Sequence, residues 1–251
     1  MKRIAFFAYG VACYAMFLGV FLYAIAFLGN FGLANSIDAA PRTHVGWALL
    51  IDVALLGLFA VQHSLMARPT FKRWWTKWVP QPIERSTYVL ASNAALLALF
   101  LCWQPIGGQI WNLEHPAARG VMYGVFAGGW LTILATTFLI NHFDLFGMRQ
   151  VWLYLRGKPY TPLQFTTPGP YRLVRHPLYV GWLMTFWASP AMTVAHLVFA
   201  LATTAYILVA IQLEERNLAE FHGEAYRQYR RRVPMLLPQI PFPTVRQRTK
   251  V

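Results

Sequence analysis

The sequence predicts an all-α, polytopic membrane protein, and three observations support this fold class. Of its 251 residues, 57% are hydrophobic and only 12% are charged, whereas an ordinary soluble domain carries roughly 25% charged residues. Several apolar segments approach or exceed the roughly 20 helical residues that cross a bilayer core. The basic residues behind the net charge of +13 lie between these segments, as in membrane proteins. We therefore expect a lipid bilayer as partner and no nucleic acid.

Four spans are predicted in the N-terminal part, at 4–28, 45–66, 88–103 and 121–140. The first begins like a signal peptide, but its apolar run is long and no small-residue cleavage motif follows a short apolar core. A retained transmembrane helix is therefore expected. The third segment is the shortest of the four, although polar residues just before it can extend the helix.

The last apolar segment, 178–213, is too long for one span and rather short for two. Pro190 interrupts it, and a proline inside a helix breaks or kinks the hydrogen-bond ladder. We therefore predict a C-terminal helical hairpin with a short half at 178–188 and a full span at 191–213.

The distribution of basic residues predicts the topology. The loops 67–87 and 141–177 and the tail after Leu213 each carry several arginines or lysines, whereas the loops 29–44 and 104–120 carry one each. Four crossings followed by a hairpin place both termini and every basic region on one side. By the positive-inside rule this is the cytoplasmic side, here of a bacterial inner membrane.

No soluble domain can be separated from this arrangement. We predict one integral-membrane domain over 1–251, made of a four-helix transmembrane part at 1–140 and a loop, hairpin and tail at 141–240. The sequence leaves the oligomeric state open.

The stretch G-P-Y-R-L-V-R-H-P-L-Y-V-G-W, from Gly169 to Trp182, places basic and aromatic residues where the chain enters the hairpin. Its first two residues predict a turn, and Pro177 suits the first turn of a helix. His176 and Tyr179 lie three residues apart and share a helix face. Anchoring in the lipid headgroup zone is the alternative explanation for such residues.

Glu214 and Glu215 follow the hairpin directly. If the two halves are antiparallel, this pair ends beside Arg175 and His176. A cation, an imidazole, a phenol and a carboxylate that converge suit a zwitterionic cofactor, although a simple ion pair is the alternative.

These elements, followed by E-E-R-N-L and G-E-A-Y-R-Q-Y-R-R-R-V-P, resemble the integral-membrane methyltransferases. That group includes the isoprenylcysteine carboxyl methyltransferases and the bacterial phospholipid N-methyltransferases. The resemblance covers 163–238 and implies S-adenosylmethionine binding at the cytoplasmic end of the hairpin. The contacts it implies are Leu163, Gln164, Phe165, Thr166, Tyr171, Arg175, His176, Pro177, Leu178, Tyr179 and Glu214. The isoprenylcysteine enzymes have an arginine where this chain has Ala210, which argues against a prenylated substrate.

The segments Q-H-S-L-M-A-R at 62–68 and N-H-F-D-L-F-G at 141–147 are similar to the bacterial methanethiol S-methyltransferases of the same superfamily. This resemblance implies methylation of methanethiol, a small thiol, to dimethyl sulfide. Two alternatives stay open: a methyltransferase for a prenylcysteine or a phospholipid amine, and a non-catalytic membrane scaffold. No metal is expected, because the sulfonium of the cofactor already provides a good leaving group.

A thiol substrate needs a general base, since even cysteine has a pKa of about 8.5 and is mostly protonated at neutral pH. Asn141, His142 and Asp144 emerge from the fourth span on the cytoplasmic side. We expect them to be catalytic, with Asp144 orienting or charging His142. A helix end capped by Asn141 or Asp144 is the alternative. His63 reaches the same side and is a candidate supporting group.

The remaining sequence signals are structural. A Rossmann methyltransferase is excluded, since no strand–GxGxxG–helix unit is present. Gly124, Gly128 and Gly129 lie instead in an apolar helix, where small residues spaced by four predict helix packing. His196 is expected at the side opposite the basic loops.

Overall fold

The computed structural model describes residues 1–238, and residues 239–251, the end of the predicted domain, lie outside the described part. The helices are α1 Lys2–Gly29, α2 Val45–Ala67, α3 Pro69–Trp75, α4 Glu84–Cys102, α5 Pro116–Ile140, α6 His142–Leu145, α7 Met148–Leu155, α8 Pro177–Trp187, α9 Val194–His222 and α10 Glu224–Arg232. Two short strands, β1 Gln109–Asn112 and β2 Ala191–Thr193, and 3₁₀ turns at Gln81–Ile83 and Gly169–Arg172 complete the described elements.

Five helices within residues 1–238 are long and apolar enough to cross a membrane, namely α1, α2, α4 with the turn before it, α5 and α9. The four predicted N-terminal spans are therefore confirmed, and α4 includes the polar residues expected to lengthen the third. Large apolar side chains such as Leu22, Leu50 and Val61 stay exposed on these helices. Such surfaces are typical of helices that face lipid.

The predicted hairpin is present as α8 and α9. The 11 residues of α8 rise about 16 Å, roughly half of a bilayer core, so the first half is short as predicted. The turn after it is buried and its carbonyls are satisfied within the protein: the Trp111 indole donates to the Ser189 oxygen at 2.9 Å, and the Leu113 amide donates to the Pro190 oxygen at 2.9 Å. Irregular backbone survives in a membrane zone only under this condition.

The strands β1 and β2 pair antiparallel over this turn, and the sequence did not predict them. They join the loop after α4 to the hairpin turn, so both belong to one end of the molecule. Asp38, from the loop after α1, bonds His196 at 2.9 Å and Thr193 at 2.6 Å at the same end. We name this the far end, and it holds the connections 30–44, 103–115 and 188–193.

The opposite end, named the basic end, holds the connections 68–83, 141–176 and 223–238. Here α7 lies along the start of α1, with the Tyr154 ring stacked on Phe6 at 5.4 Å. His196 lies at the far end and away from the basic loops, as predicted from the sequence.

A close approach between α5 and α8 fixes the hairpin against the bundle. A Cβ on Gly129 would lie 2.9 Å from the Gly181 carbonyl oxygen, and a Cβ on Gly181 would lie 2.9 Å from the Gly129 oxygen. The helices can touch only because both residues lack a side chain. A Cβ on Gly124 would meet nothing within 4 Å, so the predicted packing glycine is Gly129 and not the Gly124–Gly128 pair.

Candidate functional site

Glu215 is the centre of an ion cluster at the basic end. Its side chain is 2% exposed, one oxygen accepts from Arg175 Nε at 2.7 Å and from His176 Nε2 at 3.0 Å, and the other lies 3.1 Å from Arg230 Nε. The helix α9 runs past the predicted end of the span at 213 and carries this carboxylate to the start of α8. The predicted meeting of the glutamate pair with Arg175 and His176 is thus present.

Arg175 also fastens the C-terminal tail. Its Nη1 donates to the Arg230 carbonyl at 3.1 Å, and its own amide donates to the Pro234 carbonyl at 2.8 Å. The His176 amide donates to Met235 at 3.2 Å. The geometry therefore gives the Arg175 guanidinium a holding role, although the sequence placed it among the cofactor contacts.

Glu214 has a different environment from its neighbour. Its side chain is 46% exposed, it accepts a hydrogen bond from the Tyr179 hydroxyl at 3.0 Å, and His176 Nδ1 lies 3.9 Å away. Successive helix residues point about 100° apart, because a turn takes 3.6 residues. Glu215 therefore faces the ion cluster while Glu214 remains partly exposed.

Tyr171 lies close to this open carboxylate. Burial, and then the nearby negative charge of Glu214, raise the pKa of the Tyr171 phenol above its usual value. Its carbonyl accepts a hydrogen bond from the Tyr229 hydroxyl at 2.5 Å. Gly169 allows the turn that places it, since its φ of +51° is in the left-handed region.

The segment 163–166 has no regular secondary structure and is anchored by one ring. Phe165 packs against His222, Tyr226 and Tyr229 with centroid distances of 4.9, 5.8 and 5.6 Å. This contact holds the segment at the junction of α9 and α10, near the glutamate pair.

His142 is buried, 3% exposed, at the end of α5. Its Nδ1 lies 2.9 Å from the Thr137 hydroxyl, and its Nε2 lies 2.8 Å from the Tyr14 hydroxyl. The Phe138 ring stacks on the imidazole at 4.2 Å. Burial lowers the pKa of His142 below its usual value, so the imidazole is neutral at neutral pH.

Asp144 has other side-chain partners than the predicted His142. Its carboxylate accepts from Arg149 at 2.9 Å and from the Tyr160 hydroxyl at 3.4 Å, and Arg149 donates onward to the Thr161 carbonyl at 2.9 Å. In the described part of the chain its side-chain partners are these groups and not His142. Residues two apart on a helix point to nearly opposite faces, so α6 cannot direct both side chains inward.

Asn141 caps a helix, which was the alternative to its predicted catalytic role. Its φ of 96° ends α5, and its side chain accepts from the Asp144 amide at 3.1 Å at the start of α6. His63 bonds the Tyr88 hydroxyl at 2.9 Å and Ser92 at 3.2 Å, so it connects α2 to α4.

The segments that carry the two groups of candidate residues touch at the end of α5. The Leu139 side chain lies 3.4 Å from where a Cβ on Gly169 would stand. The turn that carries Tyr171 therefore packs on the last turn of α5, and His142 follows that turn directly. The sequence patterns did not predict a role for Tyr14 or Arg230. Tyr14 could have been found, because a hydroxyl within an apolar span is a polar group that needs a partner.

Comparisons with known proteins give consistent findings. A family model for phospholipid methyltransferases matches residues 122–225. A methanethiol S-methyltransferase of Crocosphaera subtropica is 58% identical over 92% of this chain and 91% of that protein. A methanethiol S-methyltransferase of Mycobacterium tuberculosis is 51% identical over 95% and 98%, and methanethiol S-methyltransferase 2 of Bradyrhizobium diazoefficiens is 50% identical over 95% and 92%. No solved structure matches this chain.

Proposed function

Because the chain belongs to the methanethiol S-methyltransferase family and is thus a membrane methyltransferase, we propose that it converts methanethiol to dimethyl sulfide with S-adenosylmethionine as donor. The observation that carries the proposal is the division of the glutamate pair. Glu215 is paired inside the ion cluster, whereas Glu214 presents a half-exposed carboxylate that Tyr179 holds beside His176.

The side chains around Glu214 fit a ligand with one cationic and one aromatic part. S-adenosylmethionine, when bound, supplies a methyl group on a sulfonium. The Glu214 carboxylate, held by Tyr179, would bind its positively charged end, and Tyr171 and Phe165 offer aromatic surface nearby. Further proposed contacts are Leu163, Gln164, Thr166, His176, Pro177 and Leu178.

Arg175 supports this set indirectly, since its guanidinium holds Glu215 and the tail. Glu215 and the start of the tail are therefore held before a ligand arrives. Such preorganisation reduces the entropy that binding must overcome.

The thiol is proposed to bind beside His142. Rings from Phe17, Phe138, Phe143 and Phe146 lie within 6.2 Å of its imidazole centroid, an apolar surface that suits a small sulfur compound. A neutral imidazole is the correct protonation state for a general base. We assign His142 that role, with Asn141 and Asp144 shaping the segment that carries it.

The basic end is proposed to face the cytoplasm of a bacterial inner membrane, with both termini on that side. Its connections hold most of the arginines and lysines, which follows the positive-inside rule. A water-soluble donor would then reach the glutamate pair from the cytoplasm, while methanethiol could enter from lipid.

The test uses the purified full chain in detergent or lipid nanodiscs with S-adenosylmethionine labelled in its methyl group. Methanethiol, a prenylated cysteine and phosphatidylethanolamine are offered separately, and labelled product is measured in the headspace and in the lipid extract. We expect labelled dimethyl sulfide from methanethiol alone. Label in the lipid or prenyl product without dimethyl sulfide would refute the substrate, and no label in any of the three would refute the activity.

A further inference from the structure

The hydrogen bonds of His142 indicate which of its nitrogens carries the proton. The Thr137 hydroxyl donates its single proton to the Leu134 carbonyl at 2.8 Å, so its oxygen can only accept from the imidazole at 2.9 Å. The proton of the neutral ring is therefore on Nδ1. It follows that Nε2 is an acceptor, and that the Tyr14 hydroxyl donates to it at 2.8 Å.

This arrangement encloses the base and engages its lone pair. The lone pair of Nε2 is occupied by the Tyr14 proton, and the imidazole is 3% exposed and stacked on Phe138. Tyr14 is only partly buried whereas His142 is buried, so Tyr14 is the outer residue of the pair. An oxygen that donates its proton inward keeps lone pairs that can accept a proton from outside.

We propose that Tyr14 is a catalytic residue that takes the thiol proton and passes its own proton to His142. As sulfur attacks the methyl group, the S–H bond breaks and its proton forms a new O–H bond on Tyr14. The former Tyr14 proton moves to Nε2. The carbon–sulfur bond of the donor breaks with its electron pair on the departing sulfur, which leaves dimethyl sulfide, the demethylated donor and an imidazolium.

The surroundings of the pair agree with this role. The rings of Phe17, Phe143 and Phe146 lie 5.9, 6.1 and 6.4 Å from the Tyr14 ring, so a small apolar thiol finds aromatic contacts at the hydroxyl. The charged residues nearest to His142 along the chain, Asp144 and Arg149, bond each other.

The inference rests on the proposed function, and its test separates the two. Tyr14→Phe removes the relay oxygen and keeps the ring. Tyr9→Phe is the matched control, because Tyr9 lies on the same helix but bonds Thr87 at 3.0 Å. Each variant is assayed with methanethiol and with methaneselenol, which is already ionised at neutral pH and has no proton to lose.

General acid–base steps contribute about 10²–10⁴-fold, so we expect Tyr14→Phe to slow methanethiol turnover by at least about tenfold at neutral pH. The methaneselenol rate should change little, and rising pH should restore the methanethiol rate as the thiol ionises in solution. Calorimetric titration with S-adenosylhomocysteine should give the same affinity for Tyr14→Phe, Tyr9→Phe and the wild type.

Equal losses on both substrates would overturn the relay and give Tyr14 a packing role. Unchanged methanethiol turnover would overturn it as well. A wild-type protein that methylates neither compound would refute the proposed function instead.

Discussion

The Tyr179 hydroxyl donates to the Glu214 carboxylate at 3.0 Å across the two halves of the hairpin. The contact joins the first turn of α8 to the extension of α9 beyond the bilayer-length segment. It holds an exposed carboxylate one residue away from the buried Glu215, so the pair combines one open and one enclosed carboxylate.

Glu214→Gln is expected to weaken binding without unfolding the protein. A hydrogen bond to a charged group contributes about 1.5–3 kcal/mol, so the affinity for S-adenosylhomocysteine should fall about 10–100-fold by calorimetry. Glu215→Gln is the matched comparison. Removing one partner from a buried ion pair costs about 3–5 kcal/mol, so its thermal midpoint should fall by roughly 10 °C. The reverse pattern, with Glu214→Gln unfolding the protein, would contradict the division.

Arg175→Lys is expected to release the tail. Lysine keeps the charge, but it lacks the fork that reaches Glu215 and the Arg230 carbonyl together. Limited proteolysis should then cut within 224–238 faster than in the wild type. Arg172→Lys serves as control, since Arg172 is exposed at the turn before α8. Equal cleavage of both variants would show that Arg175 does not hold the tail.

Gly129→Ala is expected to destabilise the bundle, because the new Cβ would lie 2.9 Å from the Gly181 oxygen. Overpacking of this kind costs about 1–3 kcal/mol. Gly124→Ala should instead raise stability by about 0.5–1 kcal/mol, since alanine is the better helix former and meets nothing within 4 Å there. Thermal unfolding of the two variants measures the difference, and a stabilised Gly129→Ala would refute the close contact of α5 and α8.

Asp144→Asn is expected to act on cofactor binding more than on proton transfer. The change weakens the bond to Arg149, whose guanidinium also holds Thr161, and Thr161 precedes the segment 163–166. The affinity for S-adenosylhomocysteine should fall several-fold, while the pH profile of turnover keeps its shape. Arg149→Met should have the same effect, and the double variant no more than either single change. A shifted pH profile in Asp144→Asn would restore its predicted role beside His142.

The pH dependence should reflect the lowered pKa of His142, which burial causes. The imidazole stays neutral as the pH falls to the ordinary histidine value of about 6.5, so turnover should hold at that pH and decline only below it. The lowered pKa of His142 also makes the stability of the folded protein depend on pH. Below a pH of about 6.5 the unfolded chain binds a proton at His142 that the folded protein does not bind. The contribution of His142 to stability is therefore present above pH 6.5 and is lost as the pH falls.

Profiles of turnover and of chemical unfolding against pH check both statements. The contribution of the residue is the difference between wild type and His142→Gln. A stability difference that shrinks as the pH rises through 6.5 would have the wrong sign and would contradict the assignment.

The sequence could predict the spans because hydropathy and charge act locally. A segment such as 45–66 crosses a bilayer for reasons contained in its own composition, and Pro190 ends a helix whatever surrounds it. The sequence also predicted that Glu214 lies beside the start of α8, because a hairpin fixes which helix ends are adjacent. The strands β1 and β2 did not follow, because each is too short for a periodic signal and forms only when 109–112 and 191–193 meet.

The sequence by itself determined the membrane fold, the side on which the basic residues gather and the segments that carry the candidate site. Tertiary structure decided which of two adjacent glutamates is enclosed, that Asp144 turns to Arg149, and that His142 bonds Tyr14 from a helix 128 positions away in the chain. The physical reason is that composition does not determine the direction in which each side chain points. A composition fixes where a helix lies, but the rotation of each helix about its axis, set by contacts such as that between Gly129 and Gly181, fixes which side chains meet.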